Sequence, residues 1–242
     1  MKTVSRTMDK CVYCRKDFPN TELTADHVIA RSWYPEEPLG TIQRVTAPAC
    51  RECNQGYSKI ERYALQRLAA CVDTGKQAAK GIWEKVFRSL RVQDAKDDRD
   101  REHRRASWEA FTRDIREIQG EVPQSALPSF ASNHALGSST AVLVDAKRLN
   151  SVIEKWALGF HPSVWGGPVE PDAEIEIVHA TEEAAEIAFQ ELERYWKTID
   201  QGVGVQIRYL AVRDGNRRRT VYEFTIWEQF KARCSIEEIF GD

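Results

Sequence analysis

The sequence has no long hydrophobic run. Its longest apolar stretches, such as Thr140–Val144, fall far short of the roughly 20 residues needed to cross a bilayer, which predicts a protein without membrane spans. Residues 1–6 include basic side chains but no apolar segment follows them, so no signal peptide is predicted. We therefore expect a soluble protein in the cytoplasm.

The chain also lacks an excess of charge of one sign, since 35 Lys and Arg stand against 37 Asp and Glu. Basic residues outnumber acidic ones in residues 1–119, and the balance reverses in residues 120–242. A polyanion, if one binds, is therefore expected at the first half. The second half contains no nucleotide-binding loop and no nucleophile elbow, so the sites that these motifs build are not predicted there.

Four of the six cysteines form two C-x-x-C pairs. Cys11 and Cys14 make the first pair, Cys50 and Cys53 make the second, and 35 residues separate Cys14 from Cys50. Two such turns supply four thiolates, the ligand set of a tetrahedral Zn²⁺ site. A redox motif or a disulfide framework is the alternative, but two redox pairs are unusual and a reducing compartment disfavours disulfides. A closed shell of four sulfurs predicts a structural zinc ion that performs no chemistry.

Other polar residues of interest lie between and after the two pairs. Leu23–Ile29 is rich in β-branched residues, which predicts a short strand, and it contains the dipeptide Asp26-His27. Asn54 directly follows the second cysteine pair, and Ser58–Leu68 has apolar residues at helical spacing. The predicted order is zinc knuckle, strand with Asp-His, loop, second knuckle, Asn and helix.

In this order the residues resemble the HNH endonucleases, also called His-Me finger or ββα-metal nucleases, that carry an embedded four-cysteine zinc site of the phage endonuclease VII type. The resemblance covers residues 8–68, about a quarter of the chain. Seven positions carry it: Cys11, Cys14, Asp26, His27, Cys50, Cys53 and Asn54.

The resemblance implies metal-dependent hydrolysis of phosphodiester bonds in DNA. Asp26 and Asn54 would supply oxygen ligands to a divalent cation, Mg²⁺ or Mn²⁺. His27 would be the general base that deprotonates the attacking water. The zinc ion would remain structural and separate from this catalytic cation.

Further charged side chains near the motif are also candidates. The third motif residue, a His or Asn in many members, is absent, because Arg62 and Tyr63 occupy its positions. Glu61 is a candidate third ligand for the catalytic cation, and a solvated helix carboxylate is the alternative. Arg31, Lys59 and Arg62 are candidate contacts to DNA phosphates, and the alternative for each is a solvated surface position.

The predicted fold class is α+β, with an N-terminal ββα-metal zinc-knuckle nuclease domain, a helical middle segment and a C-terminal α+β domain with an antiparallel hairpin. The boundaries are predicted as a nuclease domain at 1–70, a helical segment at 71–120, a linker at 121–139 and an accessory domain at 140–242. In the accessory domain we expect helices at Ala146–Leu158 and Glu182–Lys197. Val203–Val212 and Thr220–Trp227 flank an Asp-Gly-Asn turn, which predicts the hairpin.

DNA is the expected partner, and the sequence leaves RNA open as a substrate. The acidic second half has several interpretations, which are a homodimer contact, another protein-facing surface and substrate positioning. The rival function is a zinc-ribbon module that binds nucleic acid or protein without cutting. The joint presence of Asp26, His27 and Asn54 favours catalysis.

Overall fold

The first part of the chain forms two small hairpins followed by a long helix. The computed structural model describes residues 8–35, 44–117, 140–178, 189 and 191–241. The hairpins and the helix are β1 (Met8–Lys10) with β2 (Asp17–Pro19), β3 (Leu23–His27) with β4 (Thr46–Cys50), and α1 (Arg51–Ala70). This ββα order agrees with the predicted nuclease domain. Helix α1 begins earlier than the predicted Ser58, directly at the second cysteine pair.

Two helices follow α1, as the helical middle segment predicts. They are α2 (Ile82–Leu90) and α3 (Asp98–Arg113). Asp97 caps α3, because its side chain accepts a hydrogen bond from the Asp100 amide at 2.7 Å. The chain then forms β5 (Ile115–Glu117), which pairs antiparallel with β6 (Thr140–Val142). The helical segment was predicted to reach residue 120, and this end is wrong, since a strand begins at Ile115.

The rest of the chain forms one helix and an antiparallel sheet. The elements are α4 (Ala146–Trp165), β7 (Glu174–Val178), β8 (Lys197–Asp200), β9 (Val205–Asp214), β10 (Arg217–Ile226) and β11 (Phe230–Ile239). The strand order is β7-β11-β10-β9-β8. The predicted hairpin is confirmed as β9 and β10, with Gly215 at φ 56° in the turn between them.

Two predicted helices in this half need correction. Helix α4 does not end at Leu158 but continues past Pro162 to Trp165, where Gly166 at φ 81° terminates it. The helix predicted at Glu182–Lys197 lies in large part outside the described residues, and its end is wrong because strand β8 begins at Lys197.

Helix α4 packs between the five-stranded sheet and the nuclease part of the chain. On the sheet side, the rings of Trp156 and Phe224 lie 5.5 Å apart. Toward the nuclease part, the Trp33 ring lies 5.0 Å from Trp156, and it also stacks on Trp227, directly after β10, at 5.7 Å. The Trp227 indole also donates a hydrogen bond to the Trp33 carbonyl at 2.7 Å. One hydrophobic core therefore joins the predicted nuclease and accessory domains, and it fixes α4 against the first half.

The predicted linker at 121–139 lies outside the described residues. Among the helices of the described part, none is both long and apolar enough to cross a membrane.

Candidate nuclease site

The four cysteines of the two C-x-x-C pairs come together at one end of the second hairpin. Cys11 and Cys14 lie in the turn between β1 and β2, which closes through a hydrogen bond from the Arg15 amide to the Cys11 carbonyl at 2.8 Å. Cys50 ends β4 and Cys53 lies in the first turn of α1. The Val12 amide donates to the Pro48 carbonyl at 3.0 Å, which joins the first turn to the second pair.

The geometry of this cluster fits a metal ion held by four thiolates. All four Sγ atoms lie within 4.8 Å of one another, and Cys14 and Cys50 have their Sγ atoms 3.9 Å apart. A tetrahedral site with Zn–S bonds of about 2.3 Å would place its sulfurs about 3.8 Å apart. None of the four cysteines forms a disulfide. The cluster therefore suits the predicted structural zinc and disfavours both the disulfide and the redox alternatives.

The hairpin of β3 and β4 runs from the cysteine cluster to the Asp-His dipeptide. Leu23 pairs with Cys50 at the cluster end, and His27 pairs with Thr46 at the far end. Three or four residues of extended strand separate the two ends, a distance of about 10–13 Å. A metal ion in the cluster would consequently support the candidate site through the hairpin without reaching it.

Asn54 lies against the same face of the hairpin as Asp26. Its side-chain amide donates to Thr24 Oγ1 at 3.0 Å, and that hydroxyl donates to the Ala49 carbonyl at 3.1 Å. Thr24 and Asp26 are two positions apart in β3, so they lie on one side of the strand, about 7 Å from each other. The hydrogen bond to Thr24 uses the amide nitrogen of Asn54, which leaves the amide oxygen available as a ligand.

His27 is half-buried at the end of β3. Its Nε2 accepts a hydrogen bond from Arg31 Nε at 3.2 Å, and its Nδ1 is buried without a partner in the described structure. Because a guanidinium group only donates, the neutral ring carries its proton on Nδ1. Burial lowers the pKa of His27 below its ordinary value, and the charges of Arg31 and Arg44 act in the same direction. The ring is therefore a neutral base near pH 7.

Asp26 is held by two donors on one carboxylate oxygen. Its Oδ2 accepts from the Tyr13 hydroxyl at 2.7 Å and lies 3.0 Å from Lys155 Nζ. Among the described residues, Oδ1 accepts no hydrogen bond. The side chain keeps 14% of its surface exposed, so Asp26 is anchored through Oδ2 and remains partly accessible.

Glu61 differs from the solvated carboxylate that the sequence offers as its alternative role. Only 4% of the residue is exposed, because α1 packs against α4 at this position. Its Oε2 lies 2.9 Å from Lys155 Nζ, and its Oε1 accepts from the Trp156 indole at 3.2 Å. Burial raises the pKa of Glu61, and the neighbouring Lys155 opposes that rise. Both oxygens therefore have protein partners, and the role as a cation ligand stays a prediction that this geometry does not favour.

Lys155 is the residue of this site that sequence reasoning missed. It lies on α4, far from the motif in the chain, and only 1% of the residue is exposed. A signal was present, since this lysine falls on the face of α4 that also carries Val152, Trp156 and Gly159. A charged residue on the apolar stripe of a helix is rarely buried unless it is paired.

The three basic candidates lie in different settings. Arg31 contacts His27, as described above. Lys59 and Arg62 line a cleft of about 540 Å³ between α1, α3 and the start of α4. Arg62 Nη1 lies 3.0 Å from His103 Nε2 across this cleft. Five basic side chains stand against two carboxylates in the lining: Lys59, Arg62, Arg67, Arg113 and Arg148 against Asp114 and Asp145.

The two aromatic residues after the dipeptide belong to the core. Trp33 and Tyr34 are both fully buried, so packing rather than stacking on a nucleic-acid base explains them.

The comparison with known families agrees with the motif. A family model described as HNH endonuclease matches residues 11–69, which contain the cysteine cluster, the second hairpin and all but the last residue of α1. No curated protein and no solved structure matches the chain. The match supports a nuclease domain and a nucleic-acid substrate. That the motif residues follow one another as in nucleases of the endonuclease VII type stays a prediction. It ends well before α4, so the family comparison does not include Lys155.

Proposed function

We propose that this protein is a metal-dependent endonuclease that hydrolyses phosphodiester bonds in DNA, with RNA left open as a substrate. The observation that supports this most strongly is that the end of one hairpin strand carries Asp26 and His27, while Asn54 lies near the start of the helix that follows the hairpin. The same segment matches the HNH endonuclease model. An active site in a basic first half is also suited to a polyanionic substrate.

In this proposal His27 is the general base. Its neutral ring accepts a proton from water through Nε2, the nitrogen that accepts from Arg31 in the free protein. A substrate phosphate would attract the Arg31 guanidinium and form a charge-assisted hydrogen bond with it. Arg31 would then leave Nε2, and the lone pair of His27 would face the water. Arg31 thus has two roles, as a cover for the base and as a phosphate contact.

Asp26 and Asn54 are the proposed oxygen ligands. The free Oδ1 of Asp26 and the amide oxygen of Asn54 fit a hard divalent cation, Mg²⁺ or Mn²⁺, which prefers oxygen donors. Such a cation supplies charge neutralisation at the phosphate and at the leaving oxygen. Lys59 and Arg62, in the cleft between α1, α3 and the start of α4, are proposed to contact phosphates that flank the cleaved bond.

A second candidate function is a zinc-stabilised module that binds nucleic acid without cutting it. One observation favours it, namely that Asp26 already has Lys155 at 3.0 Å, which reduces the attraction of its carboxylate for a cation. In addition, within the described part of the chain only the four cysteines bring three or more His, Cys, Asp or Glu side chains close enough to share a metal ion. The homodimer and the cytoplasmic location stay predictions.

Cleavage of supercoiled plasmid separates the two functions. Wild-type protein and His27→Ala are incubated with plasmid DNA in Mg²⁺ or Mn²⁺, and zinc content and melting temperature are measured for both. We expect nicked or linear product from the wild type and about 10²–10⁴-fold less from His27→Ala, the usual contribution of a general base. Equal zinc content and equal melting temperature would show that the variant is folded. DNA retention without any cleavage by the wild type would favour the binding module.

A further inference from the structure

Lys155 is a buried lysine that contacts both residues of the candidate catalytic dipeptide. It lies in α4, outside residues 11–69 that match the family model. Its Nζ is 3.0 Å from Asp26 Oδ2 and donates to the backbone carbonyls of His27 at 3.2 Å and Val28 at 3.0 Å. A buried ammonium group is costly unless partners replace its water, and here oxygen atoms at and directly after the end of β3 and on α1 do so.

Glu61 and Tyr13 complete the surroundings of Lys155. Glu61 Oε2 lies 2.9 Å from Nζ, and the Tyr13 ring centroid lies 5.6 Å from it. The Tyr13 hydroxyl and Lys155 hold the same oxygen of Asp26 from two sides. This double contact fixes the rotation of the carboxylate and so determines where Oδ1 points.

The position of α4 itself is fixed by close packing on the same hairpin. A Cβ atom at Gly159 would lie 2.5 Å from Val28 Cγ1, so the helix backbone approaches the residue directly after β3 as closely as a glycine allows. One turn away, the Trp156 indole is bonded to Glu61. Both contacts place Lys155 beneath the Asp26-His27 dipeptide with little freedom to move.

We propose that Lys155 is a positioning residue of the nuclease site, and that the second half of the chain completes that site through α4. Lys155 orients the Asp26 carboxylate and holds the backbone at His27, so the dipeptide keeps the geometry that cleavage needs. It does not touch the substrate. This inference rests on the proposed function, and the alternative is that Lys155 only neutralises the buried Glu61.

Three variants distinguish positioning from charge neutralisation. Lys155→Met removes the contacts and leaves Glu61 unpaired, so we expect a lower melting temperature and a kcat at least tenfold lower. Lys155→Met combined with Glu61→Gln removes both charges of the buried pair, so the melting temperature should recover. Lys147→Met, the same change at an exposed position of α4, is the matched control and should leave stability and cleavage unchanged.

The double variant decides the question. If Lys155 is a positioning residue, the double variant is stable, yet its kcat stays at least tenfold below that of the wild type while KM changes by less than about threefold. The loss then lies in kcat because the substrate still binds but meets a misplaced dipeptide. A double variant with wild-type kcat would overturn the proposal, and so would wild-type kcat in Lys155→Met.

Amide hydrogen exchange tests the same inference without any cleavage. The Val28 amide donates to the Val45 carbonyl at 3.1 Å, so its exchange rate reports whether the end of the hairpin is held. In the stable double variant we expect exchange at Val28 at least tenfold faster, with unchanged rates at Ala49 and Cys50 near the cysteine cluster. Unchanged exchange at Val28 would overturn the positioning role even if the wild type cleaves. An inactive wild type would instead refute the proposed function alone.

Discussion

The contact between Gly159 and Val28 gives a prediction about how α4 docks on the hairpin. Glycine in a helix interior costs about 1 kcal/mol relative to alanine, so Gly→Ala normally stabilises a helix. At Gly159 the new Cβ would meet Val28 Cγ1 at 2.5 Å and Cγ2 at 2.8 Å. Carbon atoms pack at about 3.5–4.0 Å, so one of the two segments must move by roughly an ångström. Overpacking of this kind costs about 1–3 kcal/mol.

Gly56 provides the matched control for this substitution. It lies in α1, and a Cβ atom there would have no heavy atom within 4 Å. Gly56→Ala should therefore show the helix gain of up to about 1 kcal/mol without a packing cost. We expect Gly159→Ala to be less stable than Gly56→Ala by about 1–3 kcal/mol, the cost of overpacking. Urea unfolding of the zinc-loaded proteins measures both free energies.

A double-variant cycle shows whether the cost comes from Val28. Val28→Ala removes the two methyl groups that the new Cβ would meet. The double variant Val28→Ala with Gly159→Ala should therefore lose less free energy of unfolding than the two single variants lose when their losses are added. A coupling energy of about 0.5–3 kcal/mol is expected for residues in direct contact. If Gly159→Ala stabilised the protein as much as Gly56→Ala does, close packing of α4 on Val28 would be excluded. A cycle without coupling would exclude it as well.

Two further predictions concern the cysteine cluster and a buried histidine. Cys14→Ser should lose zinc and unfold the first hairpins, because structural zinc contributes on the order of 10 kcal/mol of folding free energy. Cys71→Ser should keep zinc. Metal analysis and thermal melts test both variants. Burial, with help from Arg218, lowers the pKa of His161 to about 4. Between about pH 6.5 and 4 the unfolded state therefore binds more protons than the folded state. The free energy of unfolding falls as the pH is lowered through this range, by up to about 1.4 kcal/mol per pH unit. The Glu238 carboxylate lies 3.2 Å from His161 Nε2 and would reduce this loss of stability. In His161→Gln, the free energy of unfolding measured with urea should depend less on pH over that range. An equally steep pH dependence in the variant would show that His161 does not cause the loss of stability.

The local parts of the site could be predicted from the sequence because their signals are short. The C-x-x-C spacing predicts the cysteine cluster, and β-branched residues predict β3. The helix after the second pair is predicted only from Ser58, because its apolar spacing begins there, whereas α1 begins directly after Cys50. The contact between Asn54 and Thr24 belongs to the same hairpin-and-helix unit, so the predicted order of elements already brings Asn54 to the hairpin that carries Asp26.

The remaining parts depend on contacts between residues that are far apart in the sequence. Lys155 reaches the carbonyl of His27 across 128 positions, and no periodicity in either segment indicates the partner. The burial of Glu61 also depends on a distant segment. Its carboxylate is buried because α4 packs against α1, and the sequence of α1 alone does not indicate this. For the same reason the sequence divides the chain into two domains, whereas Trp33, Trp156 and Trp227 pack in one core.

A single-turnover rate on one end-labelled DNA duplex tests whether the protein cleaves DNA with His27 as its general base. With protein in excess and Mg²⁺ or Mn²⁺ present, the strand-cleavage rate constants of the wild type and His27→Ala are compared. We expect cleavage by the wild type and a rate constant lower by about 10²–10⁴-fold in the variant. Equal rate constants would show that His27 is not the base, and no cleavage by a zinc-loaded, folded wild type would contradict the nuclease assignment.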